Sequence, residues 1–385
     1  MDMGVVTGAL AAVLGSVIPF VIVLTVVVFV HEFGHYIVGR WCGVGVKVFS
    51  IGFGRELFGW TDRRGVRWKI SAIPLGGYVK FAGDGGVSSA PDPAALARMS
   101  PQERAESFQL ASLPRRAAIV AAGPAANFLL AILLFSLLFF LWGRVELLPR
   151  VDAVQPGSPA AAAGFMPGDV VKTIDGSPVE SFADMQRVIS ARAGEPLSFT
   201  VDRGGATVTL QATPATREIV TPLGRQRVGM LGVQGSRDPA DVRARRYGVI
   251  DSLRLGTMET WYVVDRTFSF LRKLFVGRES VDQLSGPIRI AQASGLVAEQ
   301  GPPAVIGYVA FLSVSIGLLN LFPIPVLDGG HLLFYAIEAV RGRPLSERLQ
   351  EYGFRIGLAL VLMLMILATR NDLVHLGGLL GLGGS

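Results

Sequence analysis

TVVVFVHEFGHYIVGRW, residues 25–41, sets two histidines and a glutamate at the end of an apolar run that begins near Val5. Polar side chains at that depth in a membrane helix cost free energy, so His31, Glu32 and His35 need partners or a task. The rest of the chain agrees that the run is meant for lipid. Of 385 residues, 50% are hydrophobic and only 17% are charged, with a mean hydropathy of +0.47. That composition excludes an ordinary soluble globule. The single cysteine, Cys42, excludes an intramolecular disulfide.

Three apolar spans read easily, at about 5–30, 117–142 and 353–368, each near the roughly 20 residues that cross a bilayer as a helix. A further span, about 302–340, is interrupted by Pro323, Pro325 and Gly329-Gly330. The sequence therefore predicts a polytopic α-helical membrane protein with four transmembrane helices. MDMG offers no positive n-region, and the run after it is too long for a signal peptide. Segment 40–116 carries twelve Lys/Arg against six Asp/Glu, and 341–355 carries four Arg against two Glu. The positive-inside rule puts both segments in the cytoplasm, and both termini and residues 143–300 on the far side.

Within that outer segment, PGSPAAAAGFMPGD offers Ser158 as an N-cap, Pro159 at the first helical position and Gly164 as a stop. Ser181 with Asp184 starts a second helix, which Gly194 ends. LSFTVDRGGATVTLQA alternates apolar residues about a Gly204-Gly205 turn, a hairpin signal. Between the first two spans, residues 46–81 form another β-rich piece with a turn at Asp62–Gly65. Phe53, Leu57, Phe58 and Trp60 make it apolar for a cytoplasmic loop. Two readings stand: a hairpin dipping into the membrane, and an ordinary cytoplasmic hairpin.

HExxH on a helix puts both imidazoles one turn apart on one face, in reach of a single Zn²⁺, with the glutamate placed to accept a proton from attacking water. A catalytic zinc needs a third protein ligand. The metzincin extension is absent, since Val38 and Trp41 stand where its glycine and third histidine would be. Glu56 is one candidate, but it lies in the Gly-rich GFGREL. Asp328 is favoured, as the only acid between Gly301 and Ala336 in strongly apolar sequence. His331, three residues on, competes with it. Two other function classes compete with this one. A zinc- or peptide-binding scaffold would not need Glu32, and a transporter would be expected to show an internal repeat.

HEFGH, GPAANF at 123–128, SGPI at 285–288, FSIGFG, IPLGGYVKF and NLFPIPVLDGGHLLF together resemble the site-2 protease family of intramembrane zinc metalloproteases, nearest its bacterial sigma-E-regulating branch. The resemblance implies Zn²⁺ held by His31, His35 and Asp328, with Glu32 as general base. It implies that Asn320, Pro323, Gly52, Gly54 and Asn127 lie where substrate binds. It also implies a monomer in the bacterial inner membrane, without nucleic acid, whose site sits near the cytoplasmic side. Its partners would be single-span substrates already trimmed outside, such as an anti-sigma factor in envelope stress signalling, and remnant signal peptides.

The organisation expected is a first transmembrane helix over 1–40, a membrane-reentrant or cytoplasmic β region over 41–113, and a second helix over 114–143. One periplasmic PDZ domain, of α+β type, follows at 145–235, where members of that branch carry two in tandem. An amphipathic helical linker at 240–300 leads to the broken third segment at 301–340. A cytoplasmic loop at 341–352, a fourth helix at 353–370 and a tail at 371–385 complete the chain.

Overall fold

The computed structural model describes residues 3–83, 99–221, 224–236, 238–277 and 281–379. The expected tail therefore lies partly outside the described residues. In chain order, the first half comprises helix α1 (Met3–Trp41), strands β1 (Val46–Thr61) and β2 (Arg67–Phe81), and helix α2 (Leu113–Trp142). Strands β3 (Arg144–Leu147), β4 (Val151–Val154), β5 (Val170–Ile174) and β6 (Ser177–Pro178) follow, then helix α3 (Phe182–Ala191). Next come β7 (Leu197–Arg203), β8 (Ala206–Ala212), β9 (Ala215–Thr221), β10 (Gly224–Met230), β11 (Val233–Gly235) and β12 (Val242–Arg245). The chain ends in helices α4 (Val249–Phe275), α5 (Pro287–Glu299), α6 (Pro302–Asn320), α7 (Asp328–Arg341) and α8 (Glu347–Leu379).

Among the described residues, four stretches are long and apolar enough to cross a membrane: Gly15–Trp41, Leu113–Trp142, Pro302–Asn320 and Arg348–Leu376. The Val-rich run of α1 would favour a strand in water. In hydrocarbon only a helix satisfies every backbone group within the segment, and that requirement wins. The chain divides into two compact units, one comprising Met1–Ser136, Leu253–Thr267 and Ser285–Ser385, the other Leu137–Ser252 and Phe268–Leu284.

In the first unit, glycines set the helix spacing. A Cβ on Gly34 of α1 would press into Ala122 and Ala126 of α2, and one on Gly317 of α6 would lie 3.0 Å from Asn127 Cβ. Small residues let helices approach where lipid supplies no hydrophobic drive between them. β1 and β2 fold back into a doubled sheet, so that Phe49 pairs with both Val79 and Trp68. Gly52 (φ +85°) and Gly54 (φ +86°) supply the left-handed backbone at the bend. Phe49 stacks on Trp68 at 4.4 Å, and Tyr36 of α1 meets Trp68 at 5.2 Å, which fastens the sheet to the helix. Leu57, Phe58 and Trp60, on its far half, are exposed.

The broken third segment resolves into α6 and α7 joined by residues 321–327. Gly342, left-handed at φ +69°, ends α7, and the chain is helical again from Glu347. The connecting loop is thus shorter than the 341–352 expected. The last helix also does not stop at 370. It continues to Leu379, and within this extension Asp372 is tied to the start of α5, accepting from the backbone N–H groups of Gly286 (2.8 Å) and Ile288 (2.9 Å) and from Arg289 Nε (2.6 Å). Both charged side chains are almost fully buried.

The second unit holds the segment expected to form a PDZ domain. Its sheet has the order β6-β5-β7-β8, and Val171, Leu197, Phe199 and Val201 pack with Met185 and Ile189 of α3 in its core. Ser158 caps a single turn, Pro159–Ala162, by accepting from Ala161 N–H. Ser181 caps α3 by accepting from Asp184 N–H at 3.1 Å, and its hydroxyl donates to the Asp184 carboxylate at 2.7 Å. Asp169, fully buried, receives two 2.8 Å bonds from Arg203 and one from Met166 N–H. Burial alone would raise its pKa, but these donors outweigh it and hold the carboxyl below its ordinary range. β3 pairs with β12, so strand pairing reaches beyond 145–235, to Arg144 and Arg245.

Candidate metal centre

His31 and His35 lie four residues apart on α1 with their Nε2 atoms 3.2 Å from each other. Asp328, the first residue of α7, brings Oδ2 to 3.0 Å from His31 Nε2 and 3.6 Å from His35 Nε2. Among the described residues, these three form a cluster whose donor atoms all lie within 4.8 Å of one another. The segment before Asp328 is tightly wound. Side chains on Gly329 and Gly330 would strike the carbonyls of Leu321, Phe322 and Ile324, so only glycine fits after the aspartate. Val326 holds φ at +104°, strained backbone for a β-branched residue.

The donor chemistry fits a cation. Two Nε2 atoms 3.2 Å apart cannot both carry protons pointing at each other. Asp328 Oδ2 is buried and accepts no hydrogen bond. Two imidazole nitrogens and a carboxylate oxygen within 4.8 Å of one another are of the residue types that make up the three-ligand set of catalytic zinc sites. The ring nitrogens facing away are also occupied. His35 Nδ1 sits 2.9 Å from the Ile119 carbonyl, and His31 Nδ1 sits 3.2 Å from the Asn127 side-chain amide.

Glu32 is half-buried beside the same face. The inner edge of β2 lies against it: a Cβ on Gly77 would be 3.0 Å from Glu32 Cγ. The two competing ligand candidates fall elsewhere. His331 packs against Phe354 at 5.4 Å, and exposed Glu56 pairs with Arg67.

A sequence profile of peptidase family M50 matches residues 19–364. The chain belongs to peptidase family M50. A Rhizobium meliloti protein named as a candidate zinc metalloprotease is 50% identical over 360 residues, covering 93% of this chain and 96% of that one. Metalloprotease MmpA of Caulobacter vibrioides is 43% identical over 379 residues, 92% of this chain and 94% of its own. Among solved structures, the PDZ domain of the SdrC-like protein from Listeria monocytogenes matches 22% of this chain and 84% of its own, at 20% identity and a TM-score of 0.19. Membership of M50 makes this protein a membrane zinc metalloprotease.

The residues expected at the substrate face divide. Asn320 ends α6, half-buried, and Pro323 is exposed in the segment leading to Asp328. Gly54 is exposed at the bend of the sheet, but Gly52 is buried, with Ile73 and Ser71 carbonyls closing on it. Gly52 is therefore not on a presented edge; the segment beside Glu32 is Gly77–Phe81, because the hairpin folds back on itself. Asn127 is corrected too. It is fully buried against His31, with its backbone carbonyl taken by the Ser313 hydroxyl at 2.8 Å, so it meets a histidine rather than substrate. Gly123 was not singled out by itself. A Cβ there would overlap His35 Nε2 and lie 2.9 Å from His31 Cε1. The available signal was a small residue four positions before an asparagine in a membrane span.

Proposed function

We propose that this protein hydrolyses peptide bonds within the transmembrane segments of single-span membrane proteins. In this reading His31, His35 and Asp328 hold zinc and Glu32 is the general base. The observation that carries it is the convergence of two imidazole nitrogens and a carboxylate oxygen, from α1 and the start of α7, inside a chain built of membrane-spanning helices. Zn²⁺, when bound, supplies a Lewis acid that acidifies water and polarises the scissile carbonyl. Glu32, one residue from His31 on the same helix, accepts the proton of the attacking water and delivers it to the leaving amine nitrogen. A helical substrate hides its peptide bonds in its own hydrogen bonds, so it must unwind to be cut. The strand Gly77–Phe81, which pairs with β1 on one side and lies against Glu32 on the other, offers an edge along which an extended substrate can lie.

We infer from the long apolar run before His31 and from the distribution of Lys and Arg that hydrolysis takes place toward the cytoplasmic side of the bacterial inner membrane, with both termini and the PDZ domain in the periplasm. Anti-sigma factors after a first extracytoplasmic cut, in envelope stress signalling, and remnant signal peptides are the substrates this arrangement suits. The test is cleavage of a model single-span substrate in detergent or vesicles. Wild type should cut within the span, while Glu32→Gln should retain zinc and lose cleavage. Equal cleavage by the two proteins would eliminate the mechanism.

A further inference from the structure

The nitrogens of the two imidazoles that face away from Asp328 both end on α2. Ile119, Gly123 and Asn127 recur every four residues and so share one face of that helix. The Ile119 carbonyl takes His35 Nδ1 at 2.9 Å, Gly123 leaves room for both rings, and the Asn127 amide meets His31 Nδ1 at 3.2 Å. Pro124 lies in the same stretch. It removes the N–H that the Val120 carbonyl would accept.

A metal-bound imidazole nitrogen gives up its proton, so the other nitrogen carries one and needs an acceptor. For His35 that acceptor is a backbone carbonyl. For His31, Asn127 is the group in reach of Nδ1 among the described residues. With its Nδ2 toward the histidine, the Asn127 Oδ1 is buried and accepts nothing. Turning the amide sets Oδ1 on Nδ1–H and gives the proton its acceptor. The side chain is held at that spot, since Gly317 of α6 packs on Asn127 Cβ and Ser313 bonds the Asn127 carbonyl.

We infer that Asn127 is a positioning residue whose side-chain carbonyl accepts the Nδ1 proton of His31, fixing the tautomer that leaves Nε2 free for zinc. The inference rests on His31 being a zinc ligand. It is tested by zinc affinity, measured on the full-length protein by competition with a chromophoric chelator. Asn127→Leu, which keeps the volume but not the acceptor, should bind zinc about 10–100-fold more weakly. Asn127→Ser, too short to reach His31, should lose a similar factor. Asn127→Asp, whose carboxylate accepts the same proton, should restore affinity to within about threefold of wild type, which a purely structural role for the amide would not require. The visible absorption of the cobalt-substituted protein should shift in the Leu and Ser variants and return in the Asp variant. Wild-type affinity in both Leu and Ser variants, or an Asp variant as weak as they are, overturns the inference. A His31→Ala protein with wild-type affinity overturns the ligand assignment beneath it, so the two failures are distinguishable.

Discussion

Replacing Gly123 by alanine adds one methyl group in the middle of α2, and the structure says where it goes. The new Cβ would stand 2.9 Å from His31 Cε1, against 3.4–4 Å for ordinary contact, and would overlap His35 Nε2 and Cε1 more deeply. His31 would have to retreat by about half an ångström and His35 by more, while a working constellation tolerates shifts of only about 0.5 Å. Intrinsic propensity argues the other way, since alanine is about 1 kcal/mol better than glycine inside a helix. The two effects therefore predict opposite outcomes. If the clash dominates, Gly123→Ala should keep or raise helicity by circular dichroism. Its zinc affinity should fall by about 10–100-fold and its cleavage with it. Gly15→Ala, where nothing lies within 4 Å of the added atom, is the matched control and should behave as wild type. A Gly123→Ala protein that binds zinc within twofold of wild type and cleaves normally would refute the claim that α2 walls the two imidazoles.

Two further outcomes follow from buried charges. Asp372→Ala removes the carboxylate that receives Arg289 Nε and the N–H groups at the start of α5, a loss of about 3–5 kcal/mol. Hydrogen exchange should therefore accelerate at 286–289 and along the end of α8, and unchanged protection there would contradict the clamp. In the second unit, the lowered pKa of Asp169 means that the unfolded chain takes up the proton first on acidification. The contribution is present above about pH 4 and is lost as pH falls through the lower folded-state value. Exchange in this unit should rise over that window in wild type and stay flatter in Asp169→Asn; parallel pH profiles would count against it.

What the sequence made legible was whatever is decided locally or by cost. His31 and His35 are tied by helical spacing, and a lone Asp328 in apolar sequence can be paired with them because its isolation is expensive. The caps at Ser158 and Ser181 are read from residues within three positions. The doubled sheet was not legible, since Gly52 and Gly54 permit a bend without stating that Phe49 will face two partners. That fold buries Gly52 and sets Gly77 beside Glu32. The role of Asn127 was hidden for a related reason. A polar residue in a span announces that it needs a partner, but His31 lies 96 positions away and only packing joins them. The last helix runs past 370 and carries Asp372, whose partners lie more than 80 residues upstream.

The account stands or falls on a cation shared by α1 and α7. Zinc-edge X-ray absorption on the full-length protein tests that directly. It should show about one zinc per chain with nitrogen and oxygen neighbours at about 2.0–2.2 Å, and the ion should disappear in His31→Ala and in Asp328→Ala. A zinc that survives both substitutions, or a first shell containing sulfur, would contradict it.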